Sequence, residues 1–297
     1  MEGLYTRRNI SECVGAAWTL LSTNLHRMAK SLWLPALLYS LSYALLAVAS
    51  LNLIKDLSLG EGIALDMTAI AVLYIAGIAA LLVVATKTFK QINTLDFKPC
   101  MLRTFKAFLV VAAFYILFVT LLSAITVGGA ALMQSGKMSP VTTGIIMTIL
   151  AIIVVCALFV FLSPFNYSLT KYMVEPETGM KQVWKNYRTG YHNLGFIVGC
   201  SLICLVIMAT IYNVMALPGY IATISATQAY SGVANGDAAN LPGYFPVIFG
   251  ATMFVVGLVY TTLLVWFLFV EYYQYASIEA RNGRTDSETE ETDNANG

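Results

Sequence analysis

His26 and His192 are the two histidines in a chain of 297 residues. Neither belongs to an HExxH or HxxxH spacing, the arrangement that sets two imidazoles on one helix face around a hydrolytic zinc ion. Glu12, Asp96, Glu175 and Glu177 fall on the same side of the hydrophobic segments as the imidazoles and are the carboxylates available for acid–base work there. Helix capping and interface charge account for them more simply, since no spacing ties any of them to a histidine. Cys200 and Cys204 stand four apart on one helix face, which would suit two thiolate ligands. No His, Asp or Glu lies at that depth to complete a metal site, so small-residue packing is the reading adopted. A Walker loop, GxGxxG and GxSxG are all absent from the sequence. The sequence therefore predicts a non-enzymatic protein with no catalytic, cofactor-binding or metal-binding residue.

The elements that would position any site are hydrophobic. Apolar residues make up 58% of the chain and Asp, Glu, Lys and Arg only 11%, against roughly 45–50% and about 25% in soluble domains. The excess apolar area must face hydrocarbon. Six stretches free of charged residues, 31–54, 67–85, 107–133, 141–169, 194–217 and 244–270, are each long enough to cross a bilayer as an α-helix. They are continuously apolar, not alternating, which excludes a β-barrel. The fold class predicted is an all-α polytopic membrane protein of six transmembrane helices in three hairpins. Of the 17 Lys and Arg, only Lys55 and Lys137 fall in the loops 55–66, 134–140 and 218–243. That bias places both termini in the cytoplasm, with a bacterial inner membrane as the default location. The first apolar run is read as a retained span and not a signal peptide. A formal net charge of +1 excludes a strongly basic nucleic-acid binder.

Each hairpin is expected to follow a cytoplasmic amphipathic helix. Before the first span, Ile10, Val14, Ala17, Trp18, Leu21, Leu25 and Met28 form a stripe at helical spacing, and Asn9 with Glu12 resembles a capping box. Before the fifth, Met180, Val183, Trp184, Tyr187, Tyr191 and Leu194 repeat it, and a shift of 166 superposes the two stripes. A shorter version, Phe97, Met101, Phe105 and Phe108, precedes the third span. Trp18 and Trp184 are the expected interfacial anchors, and Arg27, Lys30, Lys181, Lys185 and Arg188 the expected contacts to lipid headgroups.

Inside the six apolar stretches no Asp, Glu, Lys, Arg or His occurs, which counts against proton coupling and voltage sensing. Pro164 and Asn166, flanked by Ser163 and Ser168, mark a kink or cavity in the fourth span, and Tyr39 and Tyr43, a turn and two turns beyond Pro35, a pocket or packing face in the first. Asn213 is expected to bond between helices, and Gly195 and Gly199 to form a GxxxG contact, with Ala124, Gly128, Gly129, Gly250 and Gly257 as further close approaches. LPGY occurs at 217–220 and 241–244, where each Pro-Gly is expected to break a helix at the membrane surface. Residues 280–297 carry five acids against two Arg and are expected to form a disordered cytoplasmic tail.

The stretch SPFNYSLTKYMVEPETGMKQVWKNYRTGYHNLGFIVGC, from Ser163 to Cys200, resembles a signature of a loose family of bacterial six-helix membrane proteins. That family includes the membrane domain of some glycerophosphodiester phosphodiesterases. The opening RNISECVGAAWTLLSTNLHRM, from Arg8 to Met28, is similar to the family's amphipathic N-terminal segment. The resemblance implies the six-helix fold over residues 8–275 and carries no catalytic residue across. Three roles are consistent with the sequence: membrane organisation, lipid homeostasis or scaffolding without enzymatic activity; uncoupled transport of a lipid or small apolar solute; and service as an accessory domain to a lipid-modifying enzyme. The partners expected are membrane lipid and a second copy of the chain or another membrane protein, with no nucleic acid.

Overall fold

The computed structural model describes residues 5–59, 62–93, 95–134, 139–237 and 241–295, with side chains to Gly283 except those of Leu59 and Pro140. Lys137 and the side chains of the acidic tail beyond Gly283 lie outside the described residues. Eight helices make up the described chain: α1 (Ile10–Thr23), α2 (Leu25–Leu59), α3 (Ala64–Lys90), α4 (Phe97–Gln134), α5 (Pro140–Val174), α6 (Met180–His192), α7 (Leu194–Ala234) and α8 (Phe245–Ala295). Helices α2, α3, α4, α5, α7 and α8 are long and apolar enough to cross a membrane. In the most apolar windows of α4 and α5 no residue is buried by protein. Their Leu, Ile, Val and Phe side chains point outward, so hydrocarbon must cover them. The chain is a multi-pass, all-α membrane protein.

Where the amphipathic segments end depends on a single residue type. Asn24 Nδ2 donates to Leu20 O at 3.0 Å, and Asn193 Nδ2 donates to Thr189 O at 3.1 Å, so each side chain takes a carbonyl of the turn it closes. Each Asn also starts the next helix, its own carbonyl accepting from Met28 N at 2.9 Å or Ile197 N at 3.1 Å. These three matched pairs set the register of the repeat at 169 residues, not 166. It runs through identical Asn-Leu dipeptides at 24–25 and 193–194. The segment around Phe97, Met101, Phe105 and Phe108 has no such Asn, and it forms the opening turns of α4 instead of a separate helix.

Three other expectations change. Pro218 lies inside α7, which continues to Ala234, so the first LPGY does not end its helix. Within that stretch Thr223 Oγ1 donates to Gly219 O at 2.9 Å. The second LPGY does stand before a helix, with Phe245 N donating to Pro242 O at 2.9 Å as α8 begins. Asn213 bonds within α7, not between helices: its Nδ2 donates to Ala209 O at 2.7 Å, and Tyr220 OH donates to its Oδ1 at 3.5 Å. Finally, α8 does not stop at residue 270, and Glu271 is a buried residue of that same apolar helix.

The chain divides into two compact units, one of Met1–Ile10, Asn93–Ser201 and Glu271–Gly297, the other of Ser11–Ile92 and Leu202–Val270. In the first, α4, α5 and α6 pack through Phe165, whose ring lies 4.8 Å from that of Phe114, 5.1 Å from Trp184 and 4.6 Å from Tyr187. In the second, Leu51, Ala226, Tyr230 and Phe249 form a core where α2, α7 and α8 meet.

Glycines permit the closest approaches, though not the pair at 195 and 199. A Cβ on Gly195 would meet nothing within 4 Å, and one on Gly199 only the flexible tip of Ile10. At Gly190 of α6 a Cβ would lie 2.6 Å from Pro164 O of α5, and at Gly257 of α8, 2.9 Å from Ser40 Cα of α2. Backbone cannot yield as a side-chain tip can, so Gly190→Ala should cost about 1–3 kcal/mol. Gly195→Ala should stay within about 0.5 kcal/mol. Unfolding of the two variants side by side in one detergent checks this.

Candidate functional site

In the first unit a charged network gathers at the C-terminal end of α5. Lys171 Nζ lies 2.9 Å from Glu279 Oε1 of α8 and 3.8 Å from Glu175 Oε1, one helical turn along. Two carboxylates share one ammonium, and hydroxyls supply the missing donors. Tyr275 OH donates to Glu175 Oε1 at 2.5 Å, Thr178 Oγ1 to Glu175 Oε2 at 2.7 Å, and Tyr167 OH to Glu279 Oε1. Beside it, Arg103 of α4 caps α5 from outside. Its Nη1 donates to Tyr172 O at 2.6 Å and Glu175 O at 2.8 Å, its Nη2 donates to Pro176 O, and the guanidinium lies 4.8 Å from the Tyr172 ring centre. Tyr172 O is one of the carbonyls that a helix end leaves without partners, and Glu175 O and Pro176 O belong to the turn that follows it.

The N-terminal segment belongs to the same network. Arg8 N donates to Ser277 Oγ at 2.9 Å, while Ser277 Oγ and Arg281 Nη2 donate to Arg8 O at 3.1 and 2.8 Å. Tyr5 OH lies 3.5 Å from Tyr275 OH.

Deeper in this unit, Asn166 Nδ2 donates to Ser201 Oγ of α7 at 3.3 Å and to Glu271 Oε1 of α8 at 3.5 Å. Glu271 is 5% exposed. Around Pro164, which lies inside the continuous α5, Ser163 Oγ donates to Phe159 O at 2.6 Å and Tyr187 OH of α6 to Phe161 O at 3.0 Å. Asn166 faces a carboxylate that lies just beyond the uncharged stretch 244–270.

In the second unit, Tyr39 and Tyr43 join Tyr212 and Tyr260 in one aromatic cluster. Tyr43 OH and Tyr212 OH are 2.6 Å apart, and the Tyr39 ring lies 5.7 Å from that of Tyr260. Tyr43 also lines a cavity of about 560 Å³ with Ser50, Leu51, Thr223, Phe249 and Met253. Its wall is apolar apart from a few hydroxyls, and Ser50 and Thr223 turn theirs back to their own helices. Such a space suits a hydrocarbon chain, not a charged solute. Tyr212 and Tyr260 were not singled out from sequence. Tyr212 is the counterpart of Tyr43 at the 169-residue shift, the signal by which it could have been found.

The predicted surface residues lie apart from these interiors. Val183 and Gly190 form the buried side of α6, and Lys181, Lys185 and Arg188 are exposed on it, at positions that share one face. Trp184 beside them is 64% exposed, although its ring edge touches Phe165. On α1, Cys13, Ala17 and Leu21 are buried and Trp18 is 61% exposed, while Arg27 and Lys30 are exposed in the first turns of α2. Neither Trp184 nor Trp18 is part of a core, and both present an indole where the helix faces outward.

No protein-family model, curated protein or solved structure matches the chain.

Arg103 offers a direct check on the network. Lysine keeps the charge but lacks the planar fork that reaches several carbonyls at once. Arg103→Lys should destabilise the end of α5 by about 1–3 kcal/mol, seen as amide hydrogen exchange around residues 172–178 that is at least roughly tenfold faster.

Proposed function

We propose that the protein is a non-enzymatic, lipid-binding component of a cytoplasmic membrane, with both termini cytoplasmic and α6 lying at the headgroup level. The observation that carries this reading is the outward face of α6, where Lys181, Lys185 and Arg188 surround an exposed Trp184. Cations spaced along a helix attract anionic headgroups, and an indole beside them settles at the boundary between water and hydrocarbon. The exposed Trp18, Arg27 and Lys30 around the junction of α1 and α2 repeat the combination. Membrane organisation, lipid homeostasis or scaffolding at an anionic leaflet would follow from such contacts. The resemblance of Ser163–Cys200 to membrane domains that accompany a lipid-processing hydrolase agrees with this reading.

Each cation near an anionic surface contributes about 1 kcal/mol. Replacing Lys181, Lys185 and Arg188 together by Glu should therefore reduce the preference of the purified protein for anionic over zwitterionic lipid by roughly 10- to 100-fold. Co-purified lipid counted by mass spectrometry, or exchange into nanodiscs of mixed composition, measures it. An unaltered lipid profile in the triple variant would remove the proposal.

The cavity of the second unit favours a second reading, in which the protein takes up the hydrocarbon chain of a lipid or another small apolar solute without ion coupling. Ala47 packs beside the buried Leu51 and Phe249 and lines the same cavity. Ala47→Phe should fill that space and lower binding of a pyrene-labelled long-chain fatty acid severalfold, with the α6 triple variant leaving that binding unchanged. Equal binding by Ala47→Phe and the parent protein would exclude the cavity as the site.

A further inference from the structure

Glu271 is the least expected charge in the molecule. It sits in α8 directly after a long apolar run, is 5% exposed, and has one carboxylate oxygen, Oε2, that is buried without a hydrogen-bond partner. One turn further, Gln274 is fully buried, and its Oε1 likewise has no partner, although its Nε2 donates to Ile197 O of α7 at 3.2 Å. Both side chains therefore reach the same stretch of α7: Gln274 at Ile197, and Glu271 one turn along at Ser201, whose hydroxyl lies within reach of the carboxylate. Asn166 Nδ2, from α5, holds the other carboxylate oxygen and Ser201 Oγ together.

Among the described residues no cationic side chain neutralises this carboxylate. Lys171 is taken up by Glu279 and Glu175, Arg281 by Arg8 O and the face of Phe196, and the groups that reach Glu271 are the neutral Asn166 and Ser201. An uncompensated carboxylate in such surroundings costs several kcal/mol, and each orphaned acceptor adds to that cost. In native structures a buried acceptor without a partner is uncommon, and a bound ion is one of the things that accounts for it. In membrane helices an ionisable residue placed this way marks an ion or proton site.

We propose that Glu271, Gln274 and Ser201 bind a small monovalent metal cation, with Asn166 as the positioning residue that fixes the carboxylate. Oxygen donors are what hard cations take. Glu271 Oε2, Gln274 Oε1 and Ser201 Oγ supply them from two helices, and neither of the first two has another partner. The charge count selects the valence, since one carboxylate is neutralised by one unit of positive charge and a divalent ion would leave an excess buried. The site stands independently of lipid binding by α6.

A carbodiimide such as dicyclohexylcarbodiimide modifies buried, protonated carboxyl groups, and a bound cation shields them. The full-length protein in detergent is treated at fixed pH and ionic strength in NaCl, KCl or choline chloride, and the modification at Glu271 is followed by peptide mass spectrometry. Thermal unfolding is measured in the same three salts. The proposal expects Na⁺ or K⁺ to slow the modification of Glu271 at least tenfold relative to choline, or to raise the unfolding temperature where choline does not. Gln274→Leu keeps the carboxyl but removes one ligand, and should raise the half-protecting salt concentration about tenfold. Glu271→Gln should abolish any alkali-cation-dependent stabilisation, and if that variant fails to fold, Gln274→Leu alone decides. Modification and unfolding that are the same in all three salts would show a site for a proton only, and the proposal would be wrong.

Discussion

Hydrocarbon offers a peptide group no hydrogen-bond partner, and this one restriction orders most of what the chain does. Each unsatisfied backbone group in such a medium costs several kcal/mol, so the long helices run on wherever their own ladders can be kept intact. Side-chain hydroxyls obey the same rule. Ser40 bonds back to Ala36 O, Ser50 to Leu46 O, Thr86 to Leu82 O and Thr104 to Cys100 O, each one turn along its own helix. Where a ladder must end, a side chain takes its place: Asn24 and Asn193 at the two short helices, Arg103 at α5. Polar residues in these helices thus serve chiefly to complete the backbone, and those that do not are the informative ones.

Glu271 and Gln274 are among them, each with a buried oxygen that has no partner, and they show where sequence reading runs out. The six crossings were legible because charge is excluded from lipid-facing helix, and the uncharged stretches match the apolar centres of α2, α3, α4, α5, α7 and α8. The same criterion hid the carboxylate, because it ends a span at the first charged residue. Whether Glu271 faces water or protein depends on residues such as Asn166 of α5, 105 positions away in the sequence. Pro218 misled as well. A Pro-Gly pair is ordinarily a turn signal, yet α7 runs through Pro218 and Gly219 as one helix.

Packing residues were legible as a type but not by position. Small residues were expected at close approaches, and glycines do occupy them. Gly190 and Gly257 meet backbone, however, while the GxxxG pair at 195 and 199 does not. Spacing along one helix cannot reveal which neighbour each face meets. Similarly, Tyr39 and Tyr43 were found by their shared face, but Tyr212 and Tyr260 enter the cluster only through the fold. The outward face of α6 was the most predictable feature. Amphipathic periodicity depends on the helix alone, and it puts Lys181, Lys185 and Arg188 off the apolar stripe without knowledge of any partner.

The clasp between Arg8 and the Ser277 and Arg281 side chains joins the two ends of the chain within one unit. During synthesis the leading segment emerges first and the rest follows at about 5–20 residues per second. Arg8 must therefore wait, unclasped, while more than two hundred and sixty residues are made and inserted. Assembly of this unit therefore waits for α8, and a chain truncated before Ser277 would enter the bilayer with Arg8 still unfastened.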